Sequence, residues 1–382
     1  MKTKKRCSSS LSLLGALLLL GFGVTAAHAQ TYTESILYNF PLSPAGYYPH
    51  PGSLVIDSAG NLYGTADGGG SCNNNQSSCG TIFKVSARGV FSTLYTFQDG
   101  LDGFGPCCLV MNGAGNLYGT TEGGGDGWGT VFKFATRTNT FSTLHEFGKL
   151  TTDGRNPSGP LTLTADGNLY GATQEGGTSD DGILFEVTPT GAEFVYYNFG
   201  LGRPVFEGLT DVLRDPEGNL YATVGFCCLI KVTAGVKTTL ATFGDDGGSN
   251  FLQGTMVRDT NGNFYGGFED GTANDGLWEV NGTTYAVSYY NSFGGYPTGP
   301  LRFLGGNLYG TVDPGGAHGD GYVYEFSPGS GVRTDLYDFG AYSTDGVNPF
   351  SGIVSDSAGN LYGTTDVGGT YGYGTIFKLT PN

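Results

Sequence analysis

Six carboxylates stand at equivalent positions of a short motif that this sequence repeats. Each one follows a run such as Asn-Leu-Tyr-Gly-Thr-Thr and precedes a glycine-rich segment, whereas the fourth of the seven copies has Val224 near that position. The six residues are Asp67, Glu122, Glu175, Glu269, Asp313 and Asp366. Clustered carboxylate oxygens attract hard cations such as Ca²⁺. If the copies close into a ring, these side chains would surround one opening as a cation or ligand site; otherwise each only solvates a glycine-rich loop.

Two connections between repeats read Asp-Gly-x-Asn-Pro, over 153–157 and 345–349. Aspartate and asparagine before proline are ordinary turn residues, but they also offer polar groups to a ligand. The candidate ligand-binding residues in these connections are Asp153, Asn156, Asp345 and Asn348. Trp128 lies on a loop of the same face, where its ring could stack on a sugar. The sequence therefore offers a polar and aromatic binding surface.

Catalytic motifs are missing from the sequence. It contains no G-x-S-x-G nucleophile elbow, no H-E-x-x-H zinc motif and no phosphate-binding loop. Beyond residue 29 it has three histidines, His50, His145 and His318, and the pattern places His145 in the fourth strand of its repeat. A pair of facing carboxylates could still carry out glycoside chemistry, because their separation is a three-dimensional property. A carbohydrate-active hydrolase or lyase therefore remains the alternative to a binding protein.

Six cysteines follow residue 29, and in an exported protein they predict disulfides. Cys72 and Cys79 lie in one loop with six residues between them, which favours a bond between the two. The other four form two adjacent pairs, separated by a whole repeat, so bonds within each pair are favoured over cross-links. These pairs are Cys107 with Cys108 and Cys227 with Cys228. No histidine stands at ligand spacing beside either pair, which disfavours a metal site there.

The first 29 residues have the pattern of a secretory signal peptide. Lys2–Arg6 is a basic head with four cations, Leu11–Val24 is an apolar run, and Ala27-His28-Ala29 predicts cleavage before Gln30. Removal of those cations leaves 14 lysines and arginines against 34 acidic residues, a net charge near −20 (14 − 34). Such a surface repels nucleic acid and anionic membranes, and no second apolar segment is long enough to span a bilayer. We expect a soluble monomer, secreted or periplasmic, with no nucleic acid partner and no membrane insertion.

The elements that must position these residues are short strands repeated around a ring. Seven equivalent asparagines, 44 to 55 residues apart, mark the copies: Asn61, Asn116, Asn168, Asn219, Asn263, Asn307 and Asn360. Each copy contains four runs of about 4–7 residues rich in Val, Ile, Phe, Tyr and Thr, bounded by Gly, Asp or Asn. Four short strands at this period predict an all-β fold, a seven-bladed β-propeller with four-stranded blades. The Asp-x-x-Gly-Asn turns, such as that at 57–61, are interpreted as structural rather than calcium-binding.

The two ends of the chain predict how the ring closes. Ser35–Phe40 matches the fourth strand of later copies, such as Ser92–Phe97, but no other strand of a copy precedes it. The last copy ends after its third strand, Gly374–Leu379. We expect the N-terminal strand to complete the last blade and remove two exposed edges. Residues 30–382 are then predicted to form a single propeller domain.

Four parts of the repeat together resemble the Gloeo-Verruco (GloVer) tandem repeat: Gly-Asn-Leu-Tyr-Gly-Thr-Thr, a Gly-Gly-rich segment, Gly-Thr-Ile-Phe-Lys and a following Asp-Gly-x-Asn-Pro. The resemblance covers nearly all of Thr33–Asn382. It implies an exported bacterial protein and brings no catalytic residues with it. Some members of that family carry C-terminal sorting anchors, whereas this sequence ends at Thr380-Pro381-Asn382 without one. The Asp-x-x-Gly-Asn-Leu-Tyr turn is also similar, less closely, to NHL-type propeller repeats.

The sequence favours a non-catalytic exported propeller that binds an extracellular polymer such as a glycan, or a protein partner, through its loop-rich acidic face. A carbohydrate-active enzyme with paired carboxylates at the central mouth, and a structural envelope component, are the alternatives. The repeated polar loop residues favour binding, because a single active site would leave its mark in only one or two copies. No cofactor is assigned, and calcium is the candidate ion. The candidate ligand-binding residues are Asp67, Glu122, Trp128, Asp153, Asn156, Asp313, Asp345, Asn348 and Asp366.

Overall fold

The computed structural model describes residues 32–42, 46–49, 52, 54–70, 72, 78–98, 100–125, 127–200, 209–224, 227–243, 251–269, 275–297 and 299–382. His50, the predicted signal peptide and its cleavage site before Gln30 all lie outside these residues. Every regular element within the described ranges is a β-strand, and no helix there could cross a membrane. The strands form seven antiparallel blades with four strand positions each, and in the first and last blades some of these positions are divided between two short strands. This arrangement confirms the predicted all-β propeller.

Blades 1 to 3 follow an N-terminal strand, β1 (Tyr32–Asn39). Blade 1 comprises β2 (Tyr47–Pro49), β3 (Val55–Ile56), β4 (Leu62–Gly68), β5 (Thr81–Val85) and β6 (Phe91–Thr96). Blade 2 comprises β7 (Phe104–Met111), β8 (Asn116–Gly123), β9 (Thr130–Ala135) and β10 (Thr140–Glu146). Blade 3 comprises β11 (Gly154–Leu163), β12 (Leu169–Gly176), β13 (Ile183–Val187) and β14 (Glu193–Asn198).

Blades 4 to 7 complete the ring. Blade 4 comprises β15 (Leu209–Arg214), β16 (Leu220–Val224), β17 (Cys228–Thr233) and β18 (Val236–Thr242). Blade 5 comprises β19 (Phe251–Arg258), β20 (Phe264–Glu269), β21 (Gly276–Val280) and β22 (Val287–Tyr290). Blade 6 comprises β23 (Arg302–Leu304), β24 (Asn307–Val312), β25 (Tyr322–Ser327) and β26 (Val332–Asp338). Blade 7 comprises β27 (Gly346–Val347), β28 (Val354–Ser355), β29 (Leu361–Thr365), β30 (Val367–Gly368) and β31 (Thr375–Pro381).

A glycine in the second strand faces a large ring in the third strand of six blades. A Cβ added at Gly171 would overlap the ring of Phe185, which lies directly opposite. The other five pairs are Gly64–Phe83, Gly119–Phe132, Gly266–Trp278, Gly310–Tyr324 and Gly363–Phe377. Blade 4 has Ala222 opposite the smaller Ile230. The glycine of the repeated Tyr-Gly is therefore required, because the ring of the third strand fills the space that a side chain would take there.

Aspartate fixes the turn between the first and second strands. Asp57 Oδ1 accepts hydrogen bonds from the backbone N–H groups of Ala59 and Asn61, both at 2.9 Å, and Tyr63 Oη donates to Oδ2 at 3.0 Å. Burial raises the pKa of Asp57, but the hydrogen bonds outweigh it and the net pKa is lowered. The backbone and tyrosine contacts recur at Asp215, Asp259 and Asp356. These carboxylates are engaged by the turn itself, in agreement with the structural interpretation.

The N-terminal strand closes the ring as predicted. β1 pairs antiparallel with β31, from Tyr32 opposite Pro381 to Asn39 opposite Thr375. Beyond the ladder, Thr33 Oγ1 donates a hydrogen bond to Asn382 Oδ1 at 2.7 Å. The outermost strand of blade 7 therefore comes from the N-terminal part of the chain. It is the fourth strand of this sheet and covers the edge of β31, which would otherwise be exposed.

Among the described residues, each seam between neighbouring blades holds one cluster of buried apolar side chains, seven in all. At four seams, a proline of the incoming first strand packs on a glycine of the blade before it. The pairs are Pro49–Gly374, Pro106–Gly80, Pro157–Gly129 and Pro349–Gly321. Each cluster thus contains large side chains from two blades, so neighbouring blades stabilise each other.

The Asn-Pro pairs of the two Asp-Gly-x-Asn-Pro segments belong to these seams. Asn156 and Asn348 have positive φ angles of 55° and 58°, a region that asparagine tolerates better than most residues. In that conformation Asn156 donates its N–H to the carbonyl of Trp128 at 2.9 Å, and Asn348 donates to Asp320 at 3.1 Å. Residues 154–157 lie inside β11 rather than in a separate connecting turn, because Gly154 already pairs with the end of β12.

Candidate functional site

Four of the six motif carboxylates, in consecutive blades, are close enough for electrostatic repulsion between them. Burial, followed by the carboxylates of Glu122 and Asp366, raises the pKa of Asp67 to about 7, although the residue as a whole is exposed to solvent. Burial also raises the pKa of Glu122 and of Asp366. These three residues and Asp313 form what we call the acidic arc, which runs through blades 6, 7, 1 and 2. Ring closure is what brings them together.

Asp313 is the most buried member of the acidic arc, with 7% of its surface exposed. Burial, followed by the carboxylates of Asp366 and Asp320, raises its pKa to about 6. Its Oδ1 atom is buried and has no hydrogen-bond partner among the described residues. A cation or a donor group of a ligand would satisfy that atom. Glu175 and Glu269 stand near the ends of β12 and β20, the equivalent strands of blades 3 and 5.

A cavity of about 460 Å³, the first cavity, lies at the seam between blades 2 and 3. Its lining comprises Phe104, Cys107, Glu122, Gly123, Gly127, Asn156, Pro157, Gly159 and Gln174. The structure thus brings together Glu122 and Asn156, two of the predicted ligand-binding residues. Gln174 joins them, a residue that sequence reasoning missed because it does not recur in the motif. Among these lining residues Glu122 is the only carboxylate, and it belongs to the acidic arc.

A second cavity of about 570 Å³ lies at the same seam and is lined by Trp128, Asp153, Arg155 and Asp180 among others. The guanidinium carbon of Arg155 lies 4.4 Å from the centroid of the Trp128 ring, and Arg155 also forms an ion pair with Asp180. Trp128 keeps 36% of its surface exposed. Arg155 therefore covers one face of the indole, and Gly148 also packs against the ring. Only the exposed part of the side chain is accessible to a ligand.

Asp153 and Asp345 are buried, with only 4% and 5% of their surfaces exposed. Tyr337 Oη donates a hydrogen bond to Asp345 Oδ2 at 3.0 Å, and His145 Nε2 lies 3.4 Å from Asp153 Oδ1. Tyr95 makes the same contact with Asp102 at 2.9 Å in blade 1. A side chain near the end of the fourth strand thus holds the aspartate of the following connection. The ligand-binding role of Asp153 and Asp345 stays a prediction.

Glu193 joins His145 and Asp153 in a cluster that sequence reasoning did not find. One potential metal-ligating atom of each residue lies within 4.8 Å of the other two. Burial, followed by the Asp153 carboxylate, raises the pKa of Glu193. The sequence contains one indication of this cluster, because His145 stands where the equivalent strand at 92–97 has a tyrosine. Glu193 belongs to the next blade, and only the packing of two blades reveals that it meets His145.

The six described cysteines pair as predicted. The disulfides join Cys72 to Cys79, Cys107 to Cys108, and Cys227 to Cys228. The Cys107–Cys108 bond borders the first cavity, where Cys107 forms part of the wall. This pair therefore shapes the candidate site by fixing the backbone of β7 beside Glu122.

The sequence profile of the Gloeobacter/Verrucomicrobia repeat matches residues 22–227 and 225–382. The chain belongs to this repeat family. The match confirms the predicted family and covers all seven blades. A comparison with curated proteins finds no match.

Several solved structures resemble this Gloeobacter/Verrucomicrobia repeat protein in fold. The extracellular domain of a one-component system from B. thetaiotaomicron is 13% identical over 91% of this chain, with a TM-score of 0.60, and the chain spans 40% of that protein's length. An oligogalacturonate lyase in complex with manganese is 10% identical, with a TM-score of 0.60 and coverage of 93% of this chain and 94% of the lyase. An oligogalacturonate lyase from Vibrio parahaemolyticus is 11% identical, with a TM-score of 0.58 and coverage of 92% and 97%. At these identities the similarity shows the propeller fold alone.

Proposed function

We propose that this protein binds a neutral or basic polysaccharide outside the cytoplasm, through the first cavity and the acidic arc beside it. The first cavity supports the proposal most directly. Its volume of about 460 Å³ falls within the range of small-ligand pockets. The carboxylate of Glu122 and the amides of Asn156 and Gln174 are groups that pair with sugar hydroxyls. Phe104 supplies an apolar wall against which a pyranose ring can pack.

The negative charge of the acidic arc favours neutral and basic polysaccharides over acidic ones. Those of its four carboxylates that are charged at neutral pH create a negative potential, which repels polyanions and attracts cations or amino sugars. The solved lyases are named for oligogalacturonate, a polyanion at neutral pH. The acidic arc opposes such a substrate here, so the proposal follows the residues of this chain and takes no substrate from those neighbours.

A binding assay with substitutions in the first cavity tests the proposal. The protein starting at Gln30 would be titrated against soluble oligosaccharides from cellulose, xylan and chitosan, with oligogalacturonate as the polyanionic comparison. Glu122→Gln should weaken binding by about tenfold, because it removes the charge that strengthens a hydrogen bond to the ligand. Gln174→Ala should have an effect of similar size, because it removes one hydrogen bond to the ligand. Glu217→Gln is the matched control, because Glu217 lies exposed in a turn of blade 4. Equal affinity of the wild type and both cavity variants would overturn the proposal.

The raised pKa of Asp67 favours a second candidate, a carbohydrate-active enzyme. A carboxyl with a pKa of about 7 can hold a proton at neutral pH and donate it to a leaving group, while Glu122 acts as the partner carboxylate. Release of reducing ends or unsaturated products from any oligosaccharide, abolished in Asp67→Asn, would favour this candidate. Binding without any product would support the binding protein.

A further inference from the structure

We propose that His145, Asp153 and Glu193 form a binding site for a divalent transition metal ion such as Zn²⁺ at the seam between blades 2 and 3. Imidazole and carboxylate groups are the protein ligands that Zn²⁺ takes alongside cysteine. This site is separate from the acidic arc and from the first cavity, neither of which contains any of the three residues.

The distances fit a metal with three protein ligands. His145 Nε2 lies 3.4 Å from Asp153 Oδ1 and 3.9 Å from Glu193 Oε2. Ligand atoms about 2.0–2.2 Å from a tetrahedral Zn²⁺ stand roughly 3.3–3.6 Å apart. The three atoms here lie within 4.8 Å of one another, so side-chain rotations that bring them closer would complete the site. A fourth position would remain for water or a ligand from the second cavity, whose wall includes Asp153.

The surroundings of the cluster orient one ligand and leave another unsatisfied. The backbone N–H groups of Gly154 and Lys149 donate hydrogen bonds to Asp153 Oδ1 and Oδ2, at 2.9 and 3.3 Å, and so hold its carboxylate in place. Oε1 of Glu193 is buried and has no hydrogen-bond partner in the described part of the chain. The Lys149 ammonium pairs with Glu146 at 3.2 Å. A cation at the cluster would neutralise two largely buried carboxylates.

Two other seams have aromatic rings at the positions that His145 and Glu193 occupy. These positions lie two residues before the phenylalanine that follows one fourth strand, and six residues before the equivalent phenylalanine of the next blade. At two seams both are aromatic and stack: Tyr38 on Phe91 with centroids 3.9 Å apart, and Tyr95 on Phe141 at 4.1 Å. At the seam between blades 2 and 3, the same two positions hold His145 and Glu193. Two potential metal ligands therefore stand where those two seams have rings.

The seam between blades 6 and 7 provides an internal comparison. Tyr337, Asp345 and Glu34 occupy the positions of His145, Asp153 and Glu193 there. Tyr337 donates a hydrogen bond to Asp345, and Oε1 of Glu34 is likewise buried without a hydrogen-bond partner among the described residues. The two clusters differ in the imidazole alone. Hence His145→Tyr should preserve the fold while it removes the metal, and Tyr337→His should build a second site.

The experiment measures the number of ions bound to untagged protein starting at Gln30, by calorimetric titration with Zn²⁺ and by the visible absorption of Co²⁺. The wild type should bind one ion per chain, and His145→Tyr should bind it about a hundredfold more weakly. Tyr337→His should bind two ions. His318→Ala is the matched control, because His318 lies exposed on a loop of blade 6, and it should still bind one.

Four results would overturn the proposal. These are a wild type that binds no ion, a His145→Tyr variant that binds as tightly as the wild type, a His318→Ala variant that loses the ion, and a Tyr337→His variant that still binds only one. In the first two cases His145 would merely replace tyrosine as the partner of Asp153. Circular dichroism and melting temperature confirm folding of each variant, so that lost binding is assigned to the lost ligand.

Discussion

Tyr38 of the N-terminal strand stacks on Phe91 of blade 1, with ring centroids 3.9 Å apart and ring planes within 5° of parallel. The strand that completes blade 7 therefore also packs against blade 1. It closes the ring twice, by the backbone ladder with β31 and by the apolar seam that contains Phe40. The first prediction follows from this double role.

Tyr38→Ala should lower the free energy of unfolding by about 2 kcal/mol, because it removes a half-buried ring from the stack and leaves a gap at the seam. Deletion of residues 32–41 should have a far larger effect and cause aggregation, since it exposes the edge of β31. Chemical denaturation measures the first change, and light scattering the second. Tyr342→Ala is the control, because Tyr342 is 74% exposed. Equal stability of the two alanine variants would contradict the role of Tyr38.

Gly171→Ala should destabilise the protein by about 2–3 kcal/mol, because the new methyl group overlaps the ring of Phe185. Phe185→Ile in the same chain should recover part of that loss, since blade 4 already combines Ala222 with Ile230 at these positions. A double-mutant cycle by urea denaturation measures the coupling. Additive effects of the two substitutions would show that the ring and the glycine do not depend on each other.

Glu34→Gln should stabilise the protein at pH 8 and leave its stability unchanged near pH 4. Burial, followed by the Asp345 carboxylate, raises the pKa of Glu34 to about 7, above the value of about 4.3 in an unfolded chain. The stability that Glu34 contributes is therefore fully present below about pH 4 and is lost as the pH rises to about 7. After discount for solvent screening we expect a gain of about 1 kcal/mol at pH 8. Melting curves across this range measure it, with Glu217→Gln as control.

Asp313→Asn combined with Asp366→Asn should abolish any rise of the melting temperature that Ca²⁺ produces in the wild type. The two carboxylates act on each other within the acidic arc, and Oδ1 of Asp313 is unsatisfied among the described residues. Both are more fully charged at pH 8 than at pH 5, so the effect of the ion should be larger at pH 8. A double variant that still responds to Ca²⁺ as the wild type does would place the ion elsewhere.

The six described cysteines should resist alkylation until a reductant is added, and then each should gain one adduct by mass spectrometry. Cys72→Ser with Cys79→Ser should cost at most about 2–3 kcal/mol, because the disulfide closes a short loop. Alkylation of Cys107 or Cys227 in unreduced protein would refute the assigned pairs.

The sequence was sufficient for features that depend on spacing along the chain. The four strands of each blade, the closing strand at Ser35–Phe40 and the Asp57 turn all follow from local patterns, and the structure confirms them. The cysteine pairs also follow from spacing, because Cys72 and Cys79 lie in one loop and the others are adjacent.

The candidate site was only partly predictable because it depends on how blades pack. Recurrence of the motif was enough to indicate that the members of the acidic arc would share one side of the ring. It gave no sign that Asp153 would be buried behind His145, or that Gln174 would join Glu122 in a cavity. His145 and Glu193 stand 48 positions apart (193 − 145) in different blades, so their contact requires the seam geometry.

The pairing of β1 with β31 also determines the order in which the protein can be assembled during synthesis. β1 leaves the ribosome before any blade exists, while Thr33 and its partner Asn382 are 349 residues apart. Contacts between such distant residues form late and slowly, since the entropy lost on loop closure precedes the gain. The first strand made must therefore wait, with both edges unpaired, until the last strand appears. A partner that shields the unpaired edges of β1 until β31 is available should therefore raise the yield of folded protein.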